Sequence, residues 1–163
     1  MSNDRLKFRA RLGVSYYDDA GNDVDGMLVI DNVAVYHDGS VGFSEENLAD
    51  AIDRLAKTDR ENESIWQYVE DNFSTESDLW YWAAGAIVEQ CTGLSDKNGN
   101  LIYENDYIKD KWGHTTYLVK WVDAKFMCVD IEEMMPETSP RQDWLDKCGF
   151  EIIGNIHEQK DAE

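Results

Sequence analysis

The second half of the chain is a succession of short strand-like segments separated by turn residues, and this pattern restricts the folds open to it. The segments are rich in β-branched and aromatic residues, and they comprise Ala86–Cys91, Leu101–Tyr103, Asp106–Lys109, Thr115–Val122, Lys125–Ile131 and Phe150–Ile153. A tight turn is predicted over Asp96–Asn100, a loop around Pro136 and Pro140, and one helical turn over Asp143–Lys147. Several short strands within about 75 residues are typical of a small closed or half-closed barrel. We therefore predict a β-barrel over residues 86–160.

Extended segments are also predicted in the first third of the chain. They are Lys7–Leu12, which alternates charged and apolar side chains, Met27–Ile30 and Val33–Tyr36. Between the first two lies Asp18–Asp23, which is predicted to be an acidic, turn-rich loop. Asp38-Gly39 is a tight-turn dipeptide that returns the chain along Val41 and Phe43. The N-terminal region is therefore expected to contain a β-hairpin.

Two amphipathic helices are predicted, near residues 45–57 and 60–73. Ser44 is a suitable N-cap for the first helix, and Glu45 and Glu46 follow where the helix dipole favours negative charge. Apolar residues recur with helical spacing in both segments, at Leu48, Ala51, Ile52 and Leu55 and at Ile65, Trp66, Val69 and Phe73.

The region after the second helix is harder to assign. Ser74–Asp78 is predicted to be a polar connector, whereas Leu79–Trp82 fits a helix or a strand equally well. The whole chain is expected to be mainly β with an α+β composition. It would comprise an N-terminal β-hairpin with a helical insertion in residues 1–85, followed by the barrel over 86–160.

Charge is unevenly distributed along the chain, which carries 34 acidic and 15 basic residues for a formal charge of −19. Direct binding to nucleic acid or to an anionic membrane is not expected, because proteins that bind such polyanions present basic surfaces. No Lys or Arg lies between Arg11 and Arg54, where ten carboxylates occur: Asp18, Asp19, Asp23, Asp25, Asp31, Asp38, Glu45, Glu46, Asp50 and Asp53. This run is predicted to create a strongly negative flank without internal counter-charge, and its first eight members are the candidate partner-binding residues.

The cysteines and the apolar segments indicate a reducing, cytoplasmic setting. Cys91, Cys128 and Cys148 form an odd, scattered set without CxxC spacing, so free thiols are expected. The N-terminus shows no basic segment followed by an apolar run, so no secretion signal is expected. The longest apolar stretch, Leu79–Val88, is too short to span a bilayer.

Three segments resemble those of a known family. Thr92–Asp106 reads TGLSDKNGNLIYEND, close to T-G-L-x-D-x-N-G-x-x-I-Y-E-G-D, and Gly149–Glu158 contains a close match to E-V-I-G-N-I-Y-E. Lys7–Ala10 matches the start of K-F-R-A-W. These motifs are similar to those of the phage-encoded YopX family, although Arg11 replaces an aromatic residue and Asn105 replaces a glycine.

The resemblance implies a mostly β protein of a phage or prophage, with a C-terminal barrel similar to SH3-like barrels. It implies no active site, because members of the family are generally of unknown biochemical function. The helical region, about residues 44–82, is longer than expected for the family and resembles an insertion, so any function of that region would not transfer.

The family motif is interpreted as turn architecture rather than as a ligand site. Its residues are Thr92, Gly93, Asp96, Asn98, Gly99, Tyr103 and Asp106, with Gly154 and Asn155 in the closing segment. Asn98-Gly99 accepts the positive φ of a hairpin turn, and Asp96 is able to accept hydrogen bonds from the amides of that turn. Asn105 tolerates a positive φ better than most residues, so it is able to replace the family's glycine.

Familiar catalytic and metal-binding patterns do not occur. Asp96, Asn98 and Asn100 alternate as in a calcium loop, but Leu101 and Tyr107 occupy the positions that require glycine and glutamate. The chain has no HExxH, Cys/His zinc spacing, GxSxG elbow or phosphate-binding glycine loop. No catalytic residue, cofactor or metal is therefore predicted, and the carboxylates between Asp18 and Asp25 are interpreted as a hydrated loop rather than a weak cation site.

The aromatic residues are expected to lie mostly in the core. Trp66, Trp121 and Trp144 fall on apolar faces of predicted elements. Trp80 and Trp82 are also assigned to the core, with an exposed protein interface as the alternative.

These observations leave three hypotheses for function. The leading one is a non-enzymatic phage or prophage accessory protein that acts by protein–protein binding. The second is an acidic DNA mimic that inhibits a basic, nucleic-acid-binding defence enzyme of the host, and the third is a metal-dependent enzyme with clustered carboxylates. Self-association stays open, as does the alternative that the acidic flank serves solubility alone.

Overall fold

The computed structural model describes residues 7–36, 40–77 and 80–158, without the side chains at positions 76, 77, 80 and 82. The chain divides into two compact units. The N-terminal unit is Phe8–Val88, and the C-terminal unit comprises Met1–Lys7 and Glu89–Glu163. Strands predominate, which confirms the predicted mainly β class.

The N-terminal unit begins with a long antiparallel hairpin. Strand β1 (Phe8–Tyr17) pairs with β2 (Asp23–Asp31) along almost its whole length. The even-numbered β1 residues from 10 to 16 are buried, as expected for one face of a pleated strand. The acidic loop is shorter than predicted, because Asp23 and Asp25 belong to β2.

Two helices cover the apolar face of this hairpin, where the periodicity predicts them. Helix α1 (Glu45–Leu55) packs on β2, and α2 (Asp59–Asn72) packs on β1. The predicted N-cap is confirmed, because Ser44 Oγ accepts a hydrogen bond from the Asn47 amide at 3.3 Å. Thr58 caps α2 in the same way.

The core of the N-terminal unit lies between the hairpin and these helices. Its buried residues include Ala10, Leu12, Val14, Leu28, Ile30, Phe43, Leu48, Ile52, Ile65 and Val69. Gly26 of β2 lies at a close approach between α1 and the sheet. A methyl group at Gly26 would lie 2.9 Å from Cε1 of Tyr16 and 3.0 Å from Cδ2 of Leu55.

A second sheet completes this unit. Its strands, in spatial order, are β3 (Ala34–Val35), β4 (Val41–Ser44), β6 (Trp80–Ala83) and β5 (Ser74–Ser77). The polar connector predicted over Ser74–Asp78 is wrong for residues 74–77, because they pair with β6 as an edge strand, while Asp78 lies outside the described residues. Ser74 and Thr75 are exposed, as polar residues of an edge strand tolerate. Residues 80–82 of the ambiguous segment are a strand, whereas Leu79 and the predicted Asp38-Gly39 turn lie outside the described residues.

The C-terminal unit is built on one curled sheet. Its elements are β7 (Ile87–Ser95, which starts in the N-terminal unit), β8 (Leu101–Tyr103), β9 (Asp106–Lys109), β10 (Thr116–Val122), β11 (Lys125–Asp130), β12 (Pro136–Thr138), α3 (Gln142–Cys148) and β13 (Glu151–Asn155). Strands β12, β11, β10, β9 and β13 form, in that order, an antiparallel sheet that curls into a half-barrel, while β7 pairs with β8. The loop predicted at Pro136 is wrong, because residues 136–138 pair with β11; proline is tolerated at the start of an edge strand.

The core of this unit lies between the sheet and α3. It consists of Ile102, Ile108, Val119, Cys128, Leu145 and Phe150. Helix α3 ends at Gly149, whose left-handed conformation (φ 62°) lets the chain turn so that Phe150 enters the core. The predicted helical turn and final strand are therefore confirmed. The helix is one residue longer at each end than predicted, and the strand begins one residue later and ends two residues later.

The tryptophans differ in their surroundings. Trp66 and Trp144 are half-buried against the two cores. The core position predicted for Trp121 is wrong, because this residue lies beyond Val119 near the end of β10, and 47% of its surface is exposed. The side chains of Trp80 and Trp82 lie outside the described ones.

All three cysteines are free thiols. Cys91 and Cys128 are buried, and Cys148 is half-buried. Burial raises the pKa of the Cys128 thiol to about 12, with a smaller contribution from the charge of Glu137. None of the helices in the described ranges is long and apolar enough to cross a membrane.

Candidate functional site

The fold distributes the predicted partner-binding carboxylates over three settings. Asp18 and Asp19 lie in the turn between β1 and β2, Asp23, Asp25 and Asp31 lie on β2, and Glu45 and Glu46 begin α1. Asp38 lies outside the described residues. The run of acidic residues is therefore not a single loop, and each setting gives its carboxylates a different environment.

Asp18 holds the hairpin turn together. Its Oδ1 accepts a hydrogen bond from the Asn22 amide at 2.8 Å, and its Oδ2 accepts one from Asn22 Nδ2 at 3.0 Å. These hydrogen bonds lower the pKa of the Asp18 carboxyl, and the bond from the Asn22 side chain has a larger effect than the bond from the Asn22 backbone. Asp18 is therefore occupied by its own turn.

Asp19 fastens the same turn to α2. Its Oδ1 accepts a hydrogen bond from Thr58 Oγ1 at 2.8 Å, and its backbone carbonyl accepts one from Arg60 Nη1 at 2.6 Å. Because Thr58 is the N-cap of α2, the turn and the start of the helix are fixed to each other. This arrangement gives Asp19 a structural role as well as a charge.

Asp23 and Asp25 are the available carboxylates on the strands of the hairpin. Both are exposed, and they lie on the same face of β2 because they are two residues apart. Both accept from the single hydroxyl of Ser15, with Oγ 3.0 Å from Asp23 Oδ1 and 3.2 Å from Asp25 Oδ1. Among the described residues, this one hydroxyl is shared between the two carboxylates, so most of their acceptor capacity stays open.

Asp31 receives a counter-charge from outside the acidic run, although the run itself contains none. Arg54 Nη1 lies 3.4 Å from Asp31 Oδ2, and Arg54 Nη2 donates to the Val29 carbonyl at 2.6 Å. The strand register also sets Arg9 directly opposite Asp31. The fold therefore brings arginines from outside the acidic run against one end of β2.

Glu45 and Glu46 occupy the first turn of α1, where negative charge complements the helix dipole. On the exposed side of this helix, Glu46 is followed at helical spacing by Asp50 and Asp53. Asp53 Oδ1 accepts from Asn62 Nδ2 at 2.9 Å. These residues form a second acidic face, apart from the turn at the end of the hairpin.

Two adjoining depressions lie where the hairpin meets α2. One, with a volume of about 300 Å³, is lined by Asp23, Asp71 and Tyr17; the other, of about 400 Å³, also contains Tyr17 together with Glu63. We define the acidic hairpin surface as Asp23, Glu63 and Asp71 of these depressions, with Asp25 on the same face of β2 as Asp23, and the 55% exposed Tyr17 that lines both depressions. Arg60 also lines the second depression, where it donates to the Asp19 carbonyl. Glu63 and Asp71 belong to α2, so the linear run of acids did not identify them.

Negative charge is concentrated in the N-terminal unit. Phe8–Val88 contains 17 Asp and Glu against five Lys and Arg, a formal charge of −12. The C-terminal unit contains 17 acidic and ten basic residues, a formal charge of −7. A cationic group would therefore find its most negative surroundings on the N-terminal unit.

The motif residues of the C-terminal unit form a hydrogen-bonded turn. Asp96 Oδ1 accepts from the amides of Asn98 and Asn100, each at 2.9 Å, and its Oδ2 accepts from the Ile152 amide at 3.3 Å. Burial alone would raise the pKa of Asp96, but the hydrogen bonds from Asn100, Ile152 and Asn98 outweigh it and lower the pKa. Asp96 therefore joins the turn to β13. Gly93 and Gly99 have positive φ, 76° and 86°.

Thr92 and Asp106 act on neighbouring backbone. Thr92 Oγ1 donates to the Ile102 carbonyl at 2.9 Å and accepts from the Leu94 amide at 3.1 Å. Asp106 Oδ2 accepts from the Tyr103 amide at 2.8 Å. These contacts tie the two ends of the motif to the strands it connects.

A buried polar network connects the motif with the closing segment. Asn155 Nδ2 donates to Glu89 Oε1 and to Asp106 Oδ1, both at 2.9 Å. All three side chains are almost fully buried. Glu89 was missed by the sequence interpretation, although an acidic residue inside the apolar segment Ala86–Cys91 is a signal that such a partner exists. Gly154 adopts a φ of 152°, at the strand irregularity that precedes Asn155.

A groove on the C-terminal unit was also missed. It encloses about 300 Å³, and its apolar lining includes Trp121, Phe126 and Pro140. Trp121 meets Phe126 edge to face, with ring centroids 4.7 Å apart, and Lys125 lines the same groove. A core position is predicted for Trp121 because alternating aromatic residues on a strand usually face inward.

No three His, Cys, Asp or Glu side chains among the described residues converge to form a site for a metal ion. The sequence has no match among curated proteins. Residues 31–161 match the model of a family described as YopX protein. The chain belongs to the YopX protein family.

Membership confirms the resemblance and indicates a phage-type protein of unclear function. The region of this YopX-family protein that matches the family includes the motif turn, the buried network and the groove, as well as both helices of the N-terminal unit. The opening segment Lys7–Ala10 lies before the matched residues.

Proposed function

We propose that this YopX-family protein is a non-enzymatic phage accessory protein that acts in the host cytoplasm by binding another protein. The partner docks a basic region on the acidic hairpin surface. The observation that carries the proposal is the placement of Asp23, Glu63 and Asp71 in two depressions that share Tyr17, on the unit that holds most of the net negative charge. Asp23 and Asp25 keep acceptor capacity that the fold does not use.

The chemistry of this surface suits lysine and arginine side chains. Carboxylates on the hairpin and on α2 attract a cation, while the exposed ring of Tyr17 offers an apolar face and a cation–π contact. Association through such a surface is fast and sensitive to salt. The partner is therefore expected to be a basic protein whose binding weakens as the ionic strength rises.

The test compares two variants of equal charge change. Asp23→Lys with Asp71→Lys reverses the surface, whereas Glu46→Lys with Asp50→Lys reverses the same number of charges on α1. Tagged versions of both and of the unaltered protein are incubated with host lysate at low and high salt, and captured proteins are identified by mass spectrometry. We expect a basic protein that is captured at low salt and lost only with the first variant.

Equal capture by both variants, or capture that high salt does not weaken, would contradict the proposed surface. Circular dichroism of each variant verifies that the fold is retained. Asp18 and Asp19 are left unchanged, because their hydrogen bonds hold the turn and their loss would confuse binding with folding.

A DNA mimic is the second candidate function. Asp23 and Asp25 lie about 6.8 Å apart along one face of β2, a spacing comparable with that of successive phosphates on a DNA strand. Such a mimic would occupy the DNA-binding groove of a basic host enzyme. Duplex DNA added to the captured complex should then release the partner, whereas a partner that DNA does not displace at constant salt would exclude mimicry.

We also propose that the C-terminal unit is a variant of the SH3-like barrel. Two features support this assignment: the curled antiparallel sheet of short strands, and the two-residue turn, Asp123-Ala124, between β10 and β11. An experimental structure of the protein tests this assignment by its superposition on closed SH3-like barrels.

A further inference from the structure

The groove on the C-terminal unit has the opposite charge character to the acidic hairpin surface. Lys125 lines it, and no carboxylate is among the described residues that do so. Within the described part of the chain, the Lys125 ammonium makes no ion pair and the Trp121 indole N–H donates no hydrogen bond. In a chain of charge −19, the groove thus offers the Lys125 ammonium and the Trp121 indole N–H to an acceptor-bearing ligand.

The aromatic part of the groove is held in place before any ligand arrives. Phe126 meets the Trp121 ring at an interplanar angle of 79°, which fixes the indole while leaving 47% of the residue exposed. The turn beside it is also defined, because Asp123 and Ala124 both adopt positive φ, 48° and 61°. Alanine rarely adopts this conformation, so a strained turn borders the groove.

We propose that this groove binds a short acidic peptide segment of another protein. An aromatic side chain of the segment stacks on Trp121, and a neighbouring carboxylate pairs with Lys125. A volume of about 300 Å³ accommodates one aromatic side chain and its adjoining backbone, and the groove is partly open to solvent. The site belongs to the C-terminal unit, so it does not rest on the acidic hairpin surface.

Other ligand classes fit the lining less well. A nucleotide phosphate carries about two negative charges, and recognition normally uses several cationic or amide donors, whereas Lys125 is the one cationic residue among those described in the lining. A neutral sugar would use the aromatic ring and the polar side chains Gln90, Thr92 and Ser139 of the lining, but it would leave the Lys125 ammonium without a counter-charge. A carboxylate beside an aromatic ring matches the lysine and the indole together.

The test follows the indole N–H resonance of Trp121 in nitrogen-15-labelled full-length protein, assigned with Trp121→Phe. The probe is the peptide acetyl-Asp-Tyr-Asp-amide. We expect this resonance to shift saturably. Isothermal titration calorimetry, which does not need the indole, compares the variants, and Trp121→Ala should weaken binding at least roughly tenfold, the equivalent of a lost aromatic pair. Lys125→Ala should weaken it about threefold, as expected for an exposed ion pair, and less at high salt.

Trp112 and Lys111 provide the matched control. Trp112 is 55% exposed in the same unit, and the Lys111 ammonium lies 4.5 Å from its ring centroid, yet neither residue lines the groove. Trp112→Ala and Lys111→Ala should leave binding unchanged. The proposal is overturned if the Trp121 resonance does not move, if acetyl-Lys-Tyr-Lys-amide or acetyl-Asp-Ala-Asp-amide binds equally well, or if adenosine monophosphate or a neutral disaccharide binds more tightly.

Discussion

The hairpin of the N-terminal unit contains two glycines whose replacement by alanine should have opposite effects. Gly26 lies on the apolar face of β2, and a methyl group there would lie 2.9 Å from Tyr16 Cε1 and 3.0 Å from Leu55 Cδ2. Gly13 lies on β1, and a methyl group there would meet nothing within 4 Å. The two positions share a hairpin, a strand conformation and the same substitution, and differ in the space around them.

The expected magnitudes follow from two opposing terms. Replacing glycine by alanine restricts the unfolded chain and stabilises the protein by about 0.4–1 kcal/mol where the native conformation allows it. At Gly26 this gain is outweighed, because Tyr16 is buried and cannot move freely, and overpacking typically costs about 1–3 kcal/mol. Gly26→Ala should therefore lower the free energy of unfolding by about 1–2 kcal/mol, whereas Gly13→Ala should raise it by about 0.5 kcal/mol.

Urea denaturation followed by far-ultraviolet circular dichroism measures both changes. Most helical residues lie in α1 and α2, so this signal reports mainly on the N-terminal unit. If Gly26→Ala proved as stable as Gly13→Ala, the close packing of Leu55 of α1 against β2 would be wrong. A further variant, Gly26→Ala with Leu55→Val, should recover part of the loss, because the shorter side chain removes one of the two contacts.

Three further predictions concern titratable groups of the C-terminal unit. Asp96→Asn should lower the free energy of unfolding by about 2 kcal/mol at pH 7. The folded-state pKa of Asp96 is depressed, so the stability that the ionised carboxylate contributes is present above the unfolded-state pKa and is lost as pH falls through the folded-state pKa. In acid denaturation, the free energies of unfolding of the unaltered protein and of Asp96→Asn should therefore converge. Tyr117, whose pKa is raised to about 12 by burial and by its hydrogen bond to Glu137, should ionise at lower pH in Glu137→Gln, as ultraviolet difference titration would show. At neutral pH, iodoacetamide should label the half-buried Cys148 before Cys128, because Cys128 is buried and its thiol pKa is about 12. Peptide mapping that found Cys128 labelled first would contradict its burial.

Local features of the fold could be predicted from the sequence because their causes are local. The N-cap at Ser44 and the helix that follows depend on residues within one or two turns. The motif turn depends on Asn98, Gly99 and an aspartate two residues before them. Asn105 has a φ of 69°, which agrees with its expected tolerance of the conformation that glycine usually adopts.

Errors arose where strand pairing rather than local preference decides the structure. Residues 74–77 and 136–138 are polar or contain proline, yet each pairs along the edge of a sheet. Trp121 has the alternation of a core residue, but it lies near the end of a hairpin that extends beyond the core. Which part of a strand lies over the core depends on the sheet to which it belongs, and periodicity does not contain that information.

In the candidate site, too, local features could be predicted from the sequence and long-range contacts could not. The concentration of negative charge on the N-terminal unit follows from the sequence, but the use of each carboxylate does not. Asp31 is paired with Arg54, which lies 23 positions along the chain, and Asp19 accepts from Thr58. Asp71 and Glu63 join the acidic hairpin surface only because α2 packs beside the hairpin.

The number of acidic residues therefore overstates the charge that is available to a partner. Asp18, Asp19 and Asp31 are each bound by groups of the protein itself, so reversing them would test the hairpin and not the interaction. Asp23 and Asp25 share one serine hydroxyl and retain open acceptor positions towards solvent. A loss of binding on reversal of Asp23 and Asp71 would hence identify the docking surface, whereas the same loss on reversal of Asp18 would show only that the turn had opened.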